Sequence, residues 1–290
     1  MIYTNIHNLP QPIVAAITNS KYSRGDSDIS VTQLIDPPRL VALTEQYKDK
    51  LVEDVSDNVF AMFGTAMHNV LDEYTQTKHT KRRLYTTCRG WTISGEFDYI
   101  DDDGVLWDWK VGSVWEVINE LKETREPQLN LYALLASHQE QPVNVSGTRL
   151  GFILRDWRAA DAERDQHYPQ QPVVVVQLPL WSLADSQSYL EERVRLHQEA
   201  MVTLPLCTDK ERWAKPTVWA AMKNQNTRAT KLFVTENEAL AWHQLQSDAA
   251  QIRIVKREGE LTRCKRYCTV GKLGFCEQYN KTKVTTSTIV

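Results

Sequence analysis

Residues 91–111 read WTISGEFDYIDDDGVLWDWKV, and the fold turns on them. Trp91–Ile100 and Val105–Val111 are two alternating runs separated by an acidic turn, the pattern of a β-hairpin. Alternate residues of a strand share a face, so Asp108 and Lys110 point one way while Trp107, Trp109 and Val111 point the other. If Asp102-Asp103-Gly104 is a three-residue loop with Gly104 left-handed, the register sets Asp98 directly opposite Asp108. Two carboxylates roughly 5 Å apart at Cβ repel each other unless a cation lies between them. Mg2+ or Mn2+ satisfies such an oxygen pair and keeps water in its shell, and Lys110 beside it can orient or help deprotonate that water.

Working outward, Val59, Met62, Phe63, Ala66, Val70 and Tyr74 recur at helical spacing after Asp57, predicting a capped helix whose polar flank carries Gly64 and His68. Downstream, a helix over Gln128–Ser137 and strands near Arg149–Arg155 and Val173–Leu178 make a mixed α/β core. Ser182 with Asp185 resembles a capping box opening a helix to about Met201. The first thirty residues read as a loop-rich lead-in. After Pro205 the texture changes to a basic, tryptophan-containing segment, a strand at Lys231–Val234, a helix at Glu236–Gln246 and a cysteine cluster. The expected division is 1–205 for the core and 206–290 for a C-terminal module.

Composition limits what these motifs can mean. With 290 residues, 42% hydrophobic and 24% charged, the chain can bury one large core or two smaller ones. Its longest apolar runs, such as Val173–Val176, are far short of the roughly 20 residues that span a bilayer, and a secretory pattern is lacking at the N-terminus. A cytoplasmic protein without membrane contact is therefore expected. A net charge of −3 gives no global attraction to nucleic acid, so DNA contact must come from local basic patches. Lys210, Arg212, Lys215, Lys223, Arg228 and Lys231, interleaved with Trp213 and Trp219, are one candidate; the alternative is a solvated face over core tryptophans. Lys81, Arg82 and Arg83 either flank a substrate groove or solvate a loop.

Gly64-x-x-x-His68, Gly95-Glu96-Phe97-Asp98, Asp108-Trp109-Lys110 and Gln128-x-x-x-Tyr132, in that order, resemble the motif series of RecB-like PD-(D/E)XK nucleases. The likeness spans about residues 30–180. That group includes the CRISPR-associated adaptation exonucleases, phage-type RecB-like nucleases and helicase-coupled recombination nucleases. The resemblance implies a restriction-endonuclease-like α/β core, a central mixed sheet flanked by helices. It further implies His68, Asp98, Asp108 and the Trp109 carbonyl as metal ligands, Lys110 acting on the water, and Gln128 and Tyr132 beside the site. Glu96 is not carried over as a ligand, although it shares a strand face with Asp98. The expected activity is divalent-metal-dependent hydrolysis of DNA, single-stranded or with free ends, by an exonuclease of a bacterial or phage-infected cell. Recombination or replication proteins are possible partners. Two rivals are a DNA-binding or recombination partner that keeps the fold without cleaving, and a metal-stapled scaffold that leaves the ordered motifs unexplained.

Ser30-Val31-Thr32-Gln33-Leu34 and Pro38-Arg39 extend the resemblance towards the N-terminus. Relatives with an iron–sulfur cluster place a cysteine just before that proline, where this chain has Pro37. Five cysteines in a reducing compartment suit metal binding or free thiols better than disulfides. Cys264-x-x-x-Cys268 followed by Cys276 retains the C-terminal part of a cluster motif, with Cys207 the expected fourth ligand. A 4Fe-4S cluster is expected there, with zinc as the alternative. Cys88 reads as a small buried hydrophobe.

Overall fold

The hairpin at the centre forms as its turn chemistry demands: Gly104 adopts φ +80° and its N–H donates to the Asp101 carbonyl. The computed structural model describes residues 2–19, 23–77, 79–119 and 121–287. In chain order the first elements are β1 (Ile2–Thr4), α1 (Gln11–Thr18), β2 (Ile29–Ser30), α2 (Val31–Leu34), α3 (Pro38–Gln46), β3 (Val52–Asp54) and α4 (Val59–Tyr74). Next come β4 (His79–Cys88), β5 (Trp91–Ile100), β6 (Val105–Gly112), α5 (Val114–Ile118), α6 (Arg125–Ser137), β7 (Gly147–Leu154), α7 (Ala159–Arg164), β8 (Val173–Leu178) and α8 (Leu183–Val202). The remainder is β9 (Ala214–Lys215), β10 (Val218–Lys223), β11 (Lys231–Phe233), α9 (Glu236–Gln244), β12 (Ile252–Arg257), β13 (Glu260–Leu261), α10 (Thr269–Lys272) and α11 (Glu277–Ser287). They form two compact units, Met1–Ala42 with Val52–Leu204, and Leu43–Leu51 with Pro205–Val290. The grouping of Leu43–Leu51 with the C-terminal residues is not foreseen from the sequence.

The first unit is a mixed sheet flanked by helices. β4, β6 and β2 all pair with β5, β6 runs parallel to β7, and β8 closes the sheet antiparallel to β7. β4 takes one edge of β5 along its length, while the other edge is shared: β2 pairs at Ile93 and Ser94, β6 at Tyr99 and Ile100. Asp98 lies just where the ladder with β6 has ended. The register Tyr99↔Trp107 and Ile100↔Leu106 is the one the turn predicts. α6 is buried from Gln128 through Ala136, so it packs as a central helix against Phe97, Leu106, Leu150 and Phe152. A Cβ at Gly95 would stand 2.9 Å from Tyr132 Cδ1, which is why α6 can approach β5 only over a glycine.

α8 ties the N-terminal segment to this core. Arg193 donates to the carbonyls of Leu34 (2.8 Å) and Asp36, and buried His197 contacts the Leu34 carbonyl at 3.0 Å. α2 begins with a reciprocal capping box between Ser30 and Gln33. Ser182 caps α8 as expected, its hydroxyl accepting from the Asp185 N–H.

Several expectations are corrected. The lead-in contains β1 and α1, and Lys81, Arg82 and Arg83 lie on β4 rather than in a loop. α4 is helical but has no side-chain cap and no buried residue; Tyr74 is 74% exposed. In the second unit β10 and β12, neither expected, join β11 in a three-stranded sheet under α9. Cys264, Cys268 and Cys276 are buried around a π-helical turn at Arg263–Tyr267 and α10.

Candidate active site

β5 and β6 bring Asp98 and Asp108, both buried, to one cleft wall, just beyond the end of the ladder between the two strands. Asp98 Oδ2 accepts the Trp109 backbone N–H at 2.6 Å, and Asp98 Oδ1 meets His68 Nδ1 at 3.0 Å. His68 reaches it from α4. That hydrogen bond to Asp98 raises the imidazole's pKa, with burial opposing it. Asp108 is ion-paired with Lys110. Its carboxyl is pushed up, chiefly by burial and secondarily by the nearby Asp98, with Lys110 opposing both.

A cleft of about 660 Å³ opens over this wall. Among its lining residues are His68, Asp98, Asp108, Lys110, Gln128 and Tyr132, so the structure gathers six of the expected site residues in one place. Gln128 Nε2 donates to Tyr132 Oη at 2.8 Å, and Thr32 of α2 makes a further side-chain hydrogen bond there. Burial and the Asp108 charge raise the phenol's pKa, leaving Tyr132 a neutral hydrogen-bonding group. The Trp109 ring lies away from the cleft, stacked with Tyr99 and Trp107.

The donor set fits a hard divalent ion. Asp108 Oδ2 is buried without a properly formed hydrogen bond, its contact with Lys110 being an ion pair only. Among the described residues no three His, Cys, Asp or Glu side chains form a ready-made metal cage. Mg2+ needs none, since it is usually held by one or two carboxylates and keeps water or substrate oxygens in its remaining positions.

Sequence reasoning missed other cleft residues. Ile17 and Asn19 enter from α1 and its end, and Asn58 and Asn69 from α4 and its start; Lys81, one of the groove candidates, lines the cleft from β4. Pro10 and Pro12 around the start of α1 are the helix signal that could have drawn attention to it. Glu96 also lines the cleft, held by Arg83 at 3.0 Å.

The expected iron–sulfur or zinc site finds no support. None of the five cysteines forms a disulfide, and no group of three or more metal-binding side chains is found among the described residues. Cys207 is half-buried and engaged through its backbone, donating to and accepting from the Gln278 side chain at 2.8 Å each. Burial raises the Cys264 and Cys268 thiols, with the neighbouring cysteines adding to the effect.

The basic candidates divide. Trp219 packs on the small core of the second unit, Lys223 pairs with Asp248, and Lys231 lies over Phe233 and Trp242. Trp213 remains partly exposed.

A family model of the PD-(D/E)XK nuclease superfamily matches residues 77–270. No curated protein matches the chain. Among solved structures, one titled "Crystal structure of SSO0001" is 16% identical, covers 63% of this chain and 82% of its own, and aligns with a TM-score of 0.40.

Proposed function

Because the chain belongs to the PD-(D/E)XK nuclease superfamily, whose members are typically metal-dependent nucleases, we propose that it hydrolyses DNA phosphodiester bonds as a Mg2+- or Mn2+-dependent exonuclease. The observation that carries this reading is the burial of Asp98 and Asp108 on one cleft wall beside Lys110. Asp98 and Asp108, with His68 as a neutral imidazole and the Trp109 carbonyl, would hold the ion. Bound there, a divalent ion would supply positive charge beside the phosphate oxygens and lower the pKa of a water.

This chain's own groups do the rest. Lys110 orients the attacking water and offsets charge that builds on the phosphate. Gln128 and Tyr132, tied by their hydrogen bond, limit where the Lys110 chain can swing and present neutral donors to the DNA backbone. The substrate is single-stranded DNA or a free DNA end, and the setting is DNA processing or recombination in a bacterial or phage-infected cell, alongside recombination or replication proteins.

Incubation with end-labelled single- and double-stranded DNA, with and without Mn2+, tests the reading. Metal-dependent release of mononucleotides or short products is expected. DNA binding without cleavage would favour the non-cleaving recombination partner.

A further inference from the structure

Trp213 adopts φ 51°, in the left-handed region a bulky side chain rarely enters. Its own N–H donates to Lys210 O and its carbonyl accepts from Thr262 N, so hydrogen bonds on both sides hold the backbone there. The observed strain asks for a functional reason. It leaves the indole 39% exposed, with the Arg263 guanidinium 4.7 Å from the ring centroid and the Tyr267 ring edge-on at 5.4 Å. Arg263 and Tyr267 are the two ends of the π-helical turn, a backbone form that often marks functional sites. Tyr267 is 66% exposed, and between these residues stand the exposed cations Lys265 and Arg266.

We infer that Trp213, Arg263 and Tyr267 form a base-stacking platform for single-stranded DNA, with Lys265 and Arg266 contacting its phosphates. Flat rings beside cations match what an unpaired strand offers, bare base faces and a continuous anion; a duplex hides the faces. Glu260 pairs with Lys265 at 3.1 Å and with Arg266 at 3.3 Å. It positions both cations and leaves each further N–H donors for a phosphate. The inference rests on the DNA reading above but not on cleavage.

The test is fluorescence anisotropy of a labelled oligo(dT) with the full-length protein in EDTA, across a salt series, beside a cleavage assay of the wild type with Mn2+. Tyr267→Ala should weaken oligo(dT) binding about tenfold at every salt concentration, because stacking carries no counterion release. Tyr267→Leu should lose as much, keeping bulk without a π-face, and Tyr267→Phe should bind like the wild type. Lys265→Ala should lower the salt slope by about 0.7. Wild-type affinity in Tyr267→Ala and Tyr267→Leu, or an equal loss with a duplex probe, would overturn the platform. Failure of the wild type to cleave, with the Tyr267 pattern intact, would strike only the nuclease reading.

Discussion

The Trp109 backbone N–H donates to Asp98 Oδ2 at 2.6 Å, so a side chain of β5 takes over where its ladder with β6 has stopped. Asp98 therefore has a structural duty besides the metal-binding role proposed for it. Asp98→Ala should leave a partly buried N–H unpaired and cost about 1 kcal/mol or more of stability. Asp98→Asn keeps an acceptor and should remain near wild-type stability while losing cleavage. Urea denaturation of both variants checks this; equal stability of the two would remove the structural duty.

Asp108 supplies the second prediction. Mg2+ or Mn2+ should raise the wild-type melting temperature, since a ligand bound only by the folded state stabilises it by mass action. Asp108→Asn should abolish that rise and reduce cleavage by at least about a hundredfold. Lys110→Ala should lose cleavage similarly while retaining the metal-induced rise. An undiminished rise in Asp108→Asn would exclude its carboxylate as a ligand.

His197 predicts a pH dependence. Burial lowers its pKa from 6.5 to about 4, with the Arg193 charge adding to the effect. Above pH 6.5 the imidazole is neutral in both folded and unfolded chains and costs nothing. As pH falls from 6.5 towards 4 only the unfolded chain takes up the proton, so stability drops, by about 3 kcal/mol in all. A residue 2% exposed has little solvent to soften that penalty. His197→Gln should flatten the stability profile between pH 7 and 5. Parallel profiles for the two proteins would refute the assignment.

Lys81 lines the cleft with its ammonium 3.0 Å from Asp72 of α4. Neighbouring Arg82 is exposed and, by strand alternation, points away. Lys81→Ala should raise KM for single-stranded DNA several-fold and lower the salt slope of binding by about 0.7, leaving kcat near wild type. Arg82→Ala controls for general charge. Matching effects from the two would show that only net charge matters.

The hairpin was legible because its evidence is local: turn residues, alternation and an acid on each strand. From that register came the expectation of Asp98 opposite Asp108; the ladder stops at Tyr99, and the two acids share the cleft wall without being paired in it. The spacing of Gln128 and Tyr132 put them on one helix face. β4 was hidden because an outer strand is free to carry charge, and Lys81, Arg82 and Arg83 look like solvent-facing loop. α4 showed helical periodicity correctly, but periodicity says nothing of what covers the stripe, and Phe63, Val70 and Tyr74 remain exposed. The cysteine spacing suggested a metal; Cys264, Cys268 and Cys276 lie near enough to influence one another, but no group of three metal-binding side chains is found among the described residues. Trp213 and Tyr267 lie far apart in the chain, so their contact was not readable at all.

The grip of Arg193 and His197 on Leu34 and Asp36 spans sequence separations of 157 to 163 residues. During synthesis Asp98, Asp108 and Lys110 leave the ribosome well before α8 exists to anchor α2, whose Thr32 supports Tyr132. Closing so long a loop is entropically costly and kinetically late. A nascent chain thus carries all the acids of the cleft without its finished wall, and its competence to cut nucleic acid should arrive only after most of the polypeptide has been made.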